Sequence, residues 1–113
     1  MTERERKDIR TAFRHAVNMS TKELERWLDT EESQSVGWTR EGDEEAVGHK
    51  SGRRIIQLKR KKVVELSDDD HAHLNKVICY VHRHSAQRPK GDVTQMRWRF
   101  LLMNWGHDPL TDS

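Results

Sequence analysis

The 113-residue sequence contains a single cysteine, two prolines and no long hydrophobic run. One thiol cannot form an internal disulfide, which is typical of proteins from a reducing compartment. No segment approaches the roughly 18 consecutive apolar residues that a transmembrane helix needs, and the first residues are not followed by the apolar core of a signal peptide. We therefore expect a cytoplasmic protein without a membrane partner.

Hydrophobic residues are also scarce, at 33% of the chain against 35% charged residues. Disordered chains combine such a composition with few aromatic residues and a high net charge, whereas this chain has four tryptophans and a net charge of +2. The length leaves room for one small domain. We expect residues 1–113 to form a single compact all-α domain of about five helices, with one long irregular acidic loop.

Apolar residues spaced three and four apart predict two helices at the start of the chain. The first covers residues 3–17, where five apolar residues share one stripe: Ile9, Ala12, Phe13, Ala16 and Val17. Ser20 and Glu23 have the spacing of a capping box, which predicts a second, short helix. Residues 31–50 contain three glycines among acidic residues and serines, so we expect an irregular stretch there.

Two serines predict the starts of the third and fourth helices. Ser51 can cap a helix that runs to about Val64, with four apolar residues gathered in one sector: Ile55, Ile56, Leu58 and Val63. Ser67 is followed by three aspartates, which are favourable at the positive end of a helix dipole. This fourth helix should run to about Gln87, just before a proline.

Asp92 can cap a last helix after the break at residues 89–91. Its apolar residues lie on two sides, with Val93 and Phe100 on one and Trp98 on the other. A helix that is apolar on two sides is either central in the fold or part of an interface. The tail that follows should pack back onto the domain through Trp105.

The small net charge hides strongly charged segments. Residues 31–48 hold six acids and one arginine, a net charge of −5, and residues 49–62 hold seven bases and no acid, a net charge of +7. Residues 63–75 hold four acids, and residues 76–90 hold four bases. Charge of one sign is therefore sorted along the chain, which indicates charged surfaces rather than a uniformly mixed one.

The third helix carries the charged face that points to a class of partner. On the side opposite its apolar sector we predict a contact surface for duplex DNA, formed by Arg53, Arg54, Gln57, Arg60 and Lys61. Lys50, which precedes this helix, assists them. Binding that engages about five phosphates should weaken with salt at a log–log slope near −4 to −5. The connection before the third helix is far longer than the three or four residues of a helix-turn-helix, so we expect non-specific or weakly specific binding. A second candidate patch comprises Lys76, Arg83, Arg88 and Lys90.

Two other interpretations of the basic face remain open. Its cations can pair with the neighbouring acidic segments, and the position of the acidic loop (Glu41, Asp43, Glu44 and Glu45) relative to Arg53 and Arg60 decides this. Alternatively, the chain is a protein-interaction module without a nucleic-acid role. In that case the basic helix docks an acidic partner, or the last helix forms a homodimer.

Seven histidines and one cysteine raise the question of a metal site. Helical residues two apart point away from each other, so His71 and His73 cannot chelate one ion, and the same holds for the pair at 82 and 84. Cys79 and His82 supply two ligands, whereas structural zinc sites need four. We predict no metal and no cofactor, with the histidines beside the buried stripe.

No motif supports catalysis. Cys79 lies in mid-helix, where we expect a small apolar core residue rather than a nucleophile. The glycines match neither a phosphate-binding loop nor a dinucleotide fingerprint. His107 and Asp108 are adjacent, and a packed turn ending in Pro109 explains them better than an acid–base dyad. We therefore predict that the protein is not an enzyme and has no catalytic residues.

Five blocks carry a resemblance to a known family: TKELERWL (residues 21–28), ESQSVG (32–37), VGHKSGRRI (47–55), YVHRHSAQRP (80–89) and MNWGHDPL (103–110). Together they resemble the signature blocks of an uncharacterised family of small bacterial and fungal proteins, domain of unknown function DUF3140. The resemblance extends over nearly the whole chain. Because members often carry the description "DNA-binding protein", it implies DNA as the class of partner and supplies no site residues.

Overall fold

The computed structural model describes residues 1–37, 39 and 45–111, which form six α-helices and no strand. The helices are α1 (Glu3–Ala16), α2 (Thr21–Leu28), α3 (Glu31–Ser35), α4 (Val47–Arg60), α5 (Asp68–Ser85) and α6 (Arg97–Asn104), with a single 3-10 turn at Val63–Glu65. Five of the six contain eight or more residues, and α3 contains five. The predicted all-α fold of about five helices is confirmed.

The predicted helix starts agree best with the structure where a side chain caps the helix. Ser20 and Glu23 form the expected capping box of α2, with Glu23 N donating to Ser20 Oγ at 3.1 Å. Ser67 and Asp70 form another at the start of α5. These contacts join residues three apart, so the sequence contains all the information that they require.

The helices differ from the prediction in several places. Residues 31–35 form α3, a short helix capped by Thr30 within the stretch expected to be irregular. Helix α4 begins at Val47, four residues before Ser51. Ser51 is buried and bonds to His73 instead of capping a helix.

The last helix also starts later than expected, at Arg97 rather than just after Asp92. The Asp92 carboxylate accepts hydrogen bonds from the backbone and side chain of Thr94, which closes a local turn in place of a helix start. Helix α4 ends at Arg60, whereas the sequence predicted an end near Val64. Val63 therefore lies in the 3-10 turn and is 54% exposed. Its expected place in the apolar sector was wrong.

The core lies where α1, α2, α4 and α5 face one another, with α6 at the centre. Helix α1 packs on α5, α2 packs on α4, and α6 contacts α2, α3, α4 and α5. A smaller apolar cluster of Val93, Trp98 and Leu102 lies beside it, next to Tyr80. Both apolar sides of α6 are thus covered within the chain, as expected for a central helix.

A polar contact at the end of α6 joins three helices. Asn104 is fully buried, and its Oδ1 accepts from Trp27 Nε1 at 2.7 Å and from Ser33 Oγ at 2.6 Å. Its Nδ2 donates to the Ser33 carbonyl at 3.1 Å. Helix α4 passes close to the same residue at Gly52, where a Cβ would lie 2.6 Å from the Asn104 carbonyl oxygen.

The C-terminal tail packs back as predicted. Trp105 is 5% exposed and stacks on Tyr80 with 4.3 Å between ring centroids. His107 Nδ1 donates to the Ala16 carbonyl at 2.7 Å, while Asp108 pairs with Arg99 at 3.0 Å. His107 and Asp108 therefore serve different packing contacts, which confirms the packed turn.

Within the described part of the chain, no helix combines the length and the apolar character required to cross a lipid bilayer.

Candidate nucleic-acid interface

The exposed side of α4 carries four of the six residues predicted to contact DNA. Lys50, Arg53, Gln57 and Arg60 recur at three- and four-residue spacing and are all exposed; we call them the outward stripe. The opposite side of the helix is buried, as Ile55, Ile56 and Leu58 show. The outward stripe extends over about 15 Å, since the helix rises about 1.5 Å per residue.

Both arginines of the outward stripe have carboxylate partners. Arg53 pairs with Glu45, and Arg60 pairs with Glu25 of α2. Burial alone would raise the pKa of Glu45, but hydrogen bonds from Arg53 and His49 outweigh it and lower that pKa. The arginine side chains nevertheless stay 63% and 62% exposed. Their charges are shared with acids in the unbound chain, yet remain in contact with solvent.

The other two predicted contact residues, Arg54 and Lys61, turn towards α5. Arg54 lies 2.9 Å from Asp69 and 3.5 Å from Asp70, and Lys61 Nζ donates to Asp70 at 2.8 Å. The hydrogen bonds from Lys61 and from the Ser67 backbone amide lower the pKa of Asp70 to about 2. Because the Asp70 side chain is only 9% exposed, these pairs mainly join α4 to α5.

Gln57 of the outward stripe and the nearby Lys59 have different surroundings. Gln57 lies in a surface cleft with Arg53 and Arg60, and this cleft also contains Glu25 and Asp29. Lys59 Nζ donates to the Met19 carbonyl at 2.8 Å. Burial lowers the pKa of Lys59. The stripe thus has acids along its α2 edge.

The acidic loop is described only at its end. Glu45 contacts Arg53, as expected if the cations of the basic face pair with the neighbouring acidic segments. Glu41, Asp43 and Glu44 lie outside the described residues. The described acids that pair with α4 are Glu25, Glu45, Asp69 and Asp70, which come from α2, from the residue pair before α4 and from α5.

The four residues of the candidate second patch lie in two separate parts of the surface. Lys76 and Arg83 lie on the exposed side of α5 and form no ion pair with any described residue. Arg88 instead lies over the Trp98 ring, 5.6 Å from its centroid, and Lys90 is exposed in the following loop. Arg97, which sequence reasoning missed, is exposed at the start of α6.

A cavity of about 230 Å³ beside the outward stripe brings Lys50, Arg54 and Lys76 together with His73. His73 Nε2 lies 3.1 Å from Ser51 Oγ. Burial lowers the pKa of His73 to about 4, and the charges of Arg54 and Lys76 act in the same direction. Asp69 and Asp70 oppose these charges, but the lowered pKa leaves the imidazole neutral at pH 7.

The pKa of His73 predicts a loss of stability in mild acid. The unfolded chain binds a proton at this residue near its ordinary pKa of 6.5, whereas the folded chain does so only near 4. Because the unfolded state then holds more protons, the free energy of unfolding should fall as pH decreases through this range. Urea unfolding at several pH values measures it.

His73→Gln should reduce that pH dependence, because glutamine does not titrate. His84, whose pKa is also lowered by burial, should contribute the remaining slope. His82→Gln is the control, since His82 is exposed on the same helix. An identical slope for His73→Gln and the parent chain would contradict the assignment.

The histidines mostly make packing contacts, as predicted. His71 is 1% exposed; its Nδ1 donates to the Ser67 carbonyl and its Nε2 accepts from Arg10. The described residues contain no group of three or more histidine, cysteine or acidic side chains placed to hold a metal ion. Cys79 is exposed, so its expected place in the core was wrong.

Comparison with known proteins gives one positive result. The family model described as "Protein of unknown function (DUF3140)" matches residues 12–103. No curated protein and no solved structure matches the chain significantly.

Proposed function

The chain belongs to DUF3140, a family of unknown function, and we propose from its own surface that it binds duplex DNA with little or no sequence preference. The observation that carries this proposal is the outward stripe of α4. Its two arginine side chains stay more than 60% exposed on one face of a helix whose other face is buried. Arginine and lysine side chains on an exposed face are the groups that neutralise DNA phosphates.

The carboxylate partners reduce the affinity without blocking the stripe. Exposed ion pairs contribute only about 0 to 1 kcal/mol each, so a phosphate can replace Glu45 at Arg53 or Glu25 at Arg60. In this proposal Lys50, Arg53 and Arg60 contact phosphates, and Gln57 contacts phosphate or a base edge. Arg54 and Lys61 keep their pairs with Asp70 and position α4.

Salt dependence tests the proposal directly. With about three phosphates engaged, the logarithm of the binding constant should fall with the logarithm of salt concentration at a slope of about −3. This slope is shallower than the sequence predicts, because Arg54 and Lys61 are paired with a buried acid. Fluorescence anisotropy of a labelled duplex at several salt concentrations measures both quantities.

The double variant Arg53→Glu/Arg60→Glu should weaken duplex binding at least about tenfold and make the slope shallower by about 2. Arg4→Glu/Lys7→Glu is the matched control, because it changes the net charge equally at exposed positions of α1. Equal loss in both variants, or binding that does not depend on salt, would contradict a specific role for the stripe.

A second candidate function uses the same surface. Arg53 and Arg60 already bind carboxylates of this chain, which favours an acidic protein as partner. Polyglutamate that binds in the same assay while the duplex does not would support this alternative. A homodimer through the last helix finds less support, because Arg97 is the one residue of α6 classed as exposed. A light-scattering mass near 13.4 kDa would reject it.

A non-enzymatic role and a cytoplasmic location form part of the same proposal. They are supported by the sequence, in which no catalytic motif occurs and Cys79 is the single cysteine.

A further inference from the structure

One buried tryptophan has a hydrogen-bond donor without an acceptor. Trp105 is 5% exposed, and its Nε1–H donates to no described residue. Trp27 and Trp98, by contrast, donate to Asn104 Oδ1 at 2.7 Å and to the His84 carbonyl at 2.9 Å. Among the described residues, the only enclosed side-chain polar atom without a partner is Ser85 Oγ, so the indole nitrogen itself is accessible to solvent and can donate to an acceptor from outside the chain.

The indole nitrogen faces the first turn of α4, where a glycine leaves space for it. A Cβ at Gly48 would lie 2.9 Å from Trp105 Nε1. Both residues line a surface cavity of about 340 Å³ between α4, α5 and α6. Any larger side chain at position 48 would cover the nitrogen, so Gly48 keeps the N–H within reach of the cavity.

The other polar side chains of this cavity can also donate hydrogen bonds. Arg97 lines it and forms no ion pair with a described residue. Tyr80 stacks on Trp105, and its hydroxyl has no hydrogen-bond partner among the described residues. Burial raises the pKa of Tyr80, and the positive charges of Arg83 and Arg97 oppose this rise.

Nothing in the described lining neutralises these donors. The remaining residues that line the cavity are apolar or glycine, and no described carboxylate is among them. An adjoining cavity, which shares Val47 and Trp105, adds Lys76, which also has no ion pair with a described residue. A concave surface with several donors, apolar walls and cations that have no ion pair among the described residues fits an anion attached to an organic group.

We propose that this cavity binds the phosphate group of a phosphate ester, with Arg97, the Tyr80 hydroxyl and Trp105 Nε1–H as its donors. The planar guanidinium of Arg97 can donate two parallel hydrogen bonds to phosphate oxygens. Val47 and Leu101 contact the organic part of the ester. The site goes beyond the duplex interface, because it includes no residue of the outward stripe.

Titration with inorganic phosphate, followed by nuclear magnetic resonance of the tryptophan indole N–H signals, tests the site. Sodium chloride keeps the ionic strength constant, and Trp105→Phe assigns the signal. The Trp105 signal should move with saturation at millimolar phosphate, whereas the signals of Trp27 and Trp98 should stay in place. No movement up to about 50 mM phosphate, which corresponds to negligible affinity, would overturn the proposal.

Two variants examine the donors. Arg97→Gln should weaken phosphate binding about tenfold or more, because hydrogen bonds to charged groups are the strong ones. Tyr80→Phe removes only the hydroxyl and should weaken it less. Arg4→Gln, at an exposed position of α1, should bind phosphate as the parent chain does. Unchanged affinity in Arg97→Gln, or the same loss in Arg4→Gln, would overturn the assignment of Arg97.

The source of the phosphate is distinguished by two further ligands. Tighter binding of glycerol phosphate than of inorganic phosphate would support a small ester. Preference for an oligonucleotide with a terminal phosphate over the same strand ending in a hydroxyl would support a nucleic-acid end. Either result supports a phosphate site. The Arg53→Glu/Arg60→Glu variant should keep phosphate binding, so failure of the duplex interface and failure of this site can be told apart.

Discussion

Replacing Asn104 by alanine is expected to lower the free energy of unfolding by about 3 to 5 kcal/mol, because it leaves buried polar groups without partners. Trp27 Nε1 and Ser33 Oγ both donate to Asn104 Oδ1, and the Ser33 carbonyl accepts from its Nδ2. Ser33 and Asn104 are both fully buried. Each group would lose its partner in a place that offers little water, and a small cavity would remain. Urea denaturation measures the change.

The matched control for this variant is Asn75→Ala. Asn75 is exposed on α5, so the same chemical change should alter stability by about 0.5 kcal/mol or less. Trp27→Phe should lose part of the same energy, since it removes one donor and keeps most of the ring. A loss below about 1 kcal/mol for Asn104→Ala would show that the three hydrogen bonds contribute little, contrary to the burial argument.

Gly52→Ala is expected to lower the free energy of unfolding by about 2 kcal/mol or more, although alanine is favoured over glycine within helices by about 1 kcal/mol. The added Cβ would lie 2.6 Å from the Asn104 carbonyl oxygen and 2.8 Å from Leu28 Cδ2. The leucine side chain can rotate away, but a backbone carbonyl can move only if α4 and α6 separate. Thermal or urea unfolding compares the variant with the parent chain.

Gln57→Ala provides the comparison on the same helix. Gln57 faces solvent, so its replacement should change stability by about 0.5 kcal/mol or less. Gly52→Val should destabilise more than Gly52→Ala, because the larger side chain extends further into the contact. A Gly52→Ala variant as stable as the parent chain, or more stable, would mean that helix propensity outweighs the clash and that α4 and α6 are not held at this distance.

Much of the fold was predictable because its signals are local. The stripe in α1 and the capping boxes of α2 and α5 depend on residues three or four apart, and the structure contains all three features. The sequence was less informative where a side chain had a competing partner. Serine is a common helix cap, but the Ser51 side chain bonds to His73, which lies 22 positions later in the chain.

The candidate interface shows the same division. Helical periodicity placed Arg53, Gln57 and Arg60 on one exposed side, as the structure does, but it also placed Arg54 and Lys61 there, which turn towards α5. It could not assign their partners, because Arg60 meets Glu25 at a separation of 35 residues. The sequence also could not predict that the indole N–H of Trp105 is accessible, since this depends on Gly48 and on the neighbouring helices.

The amino-acid sequence by itself determined that this protein is helical, where the capped helices begin and which side of α4 faces outward. Only the tertiary structure decided which charges are neutralised, which donors stay without an acceptor and which glycine must remain small. The physical reason is distance along the chain. Helix caps and stripes act between residues within one turn, whereas ion pairs, buried hydrogen bonds and close helix contacts form only when packing brings distant residues together.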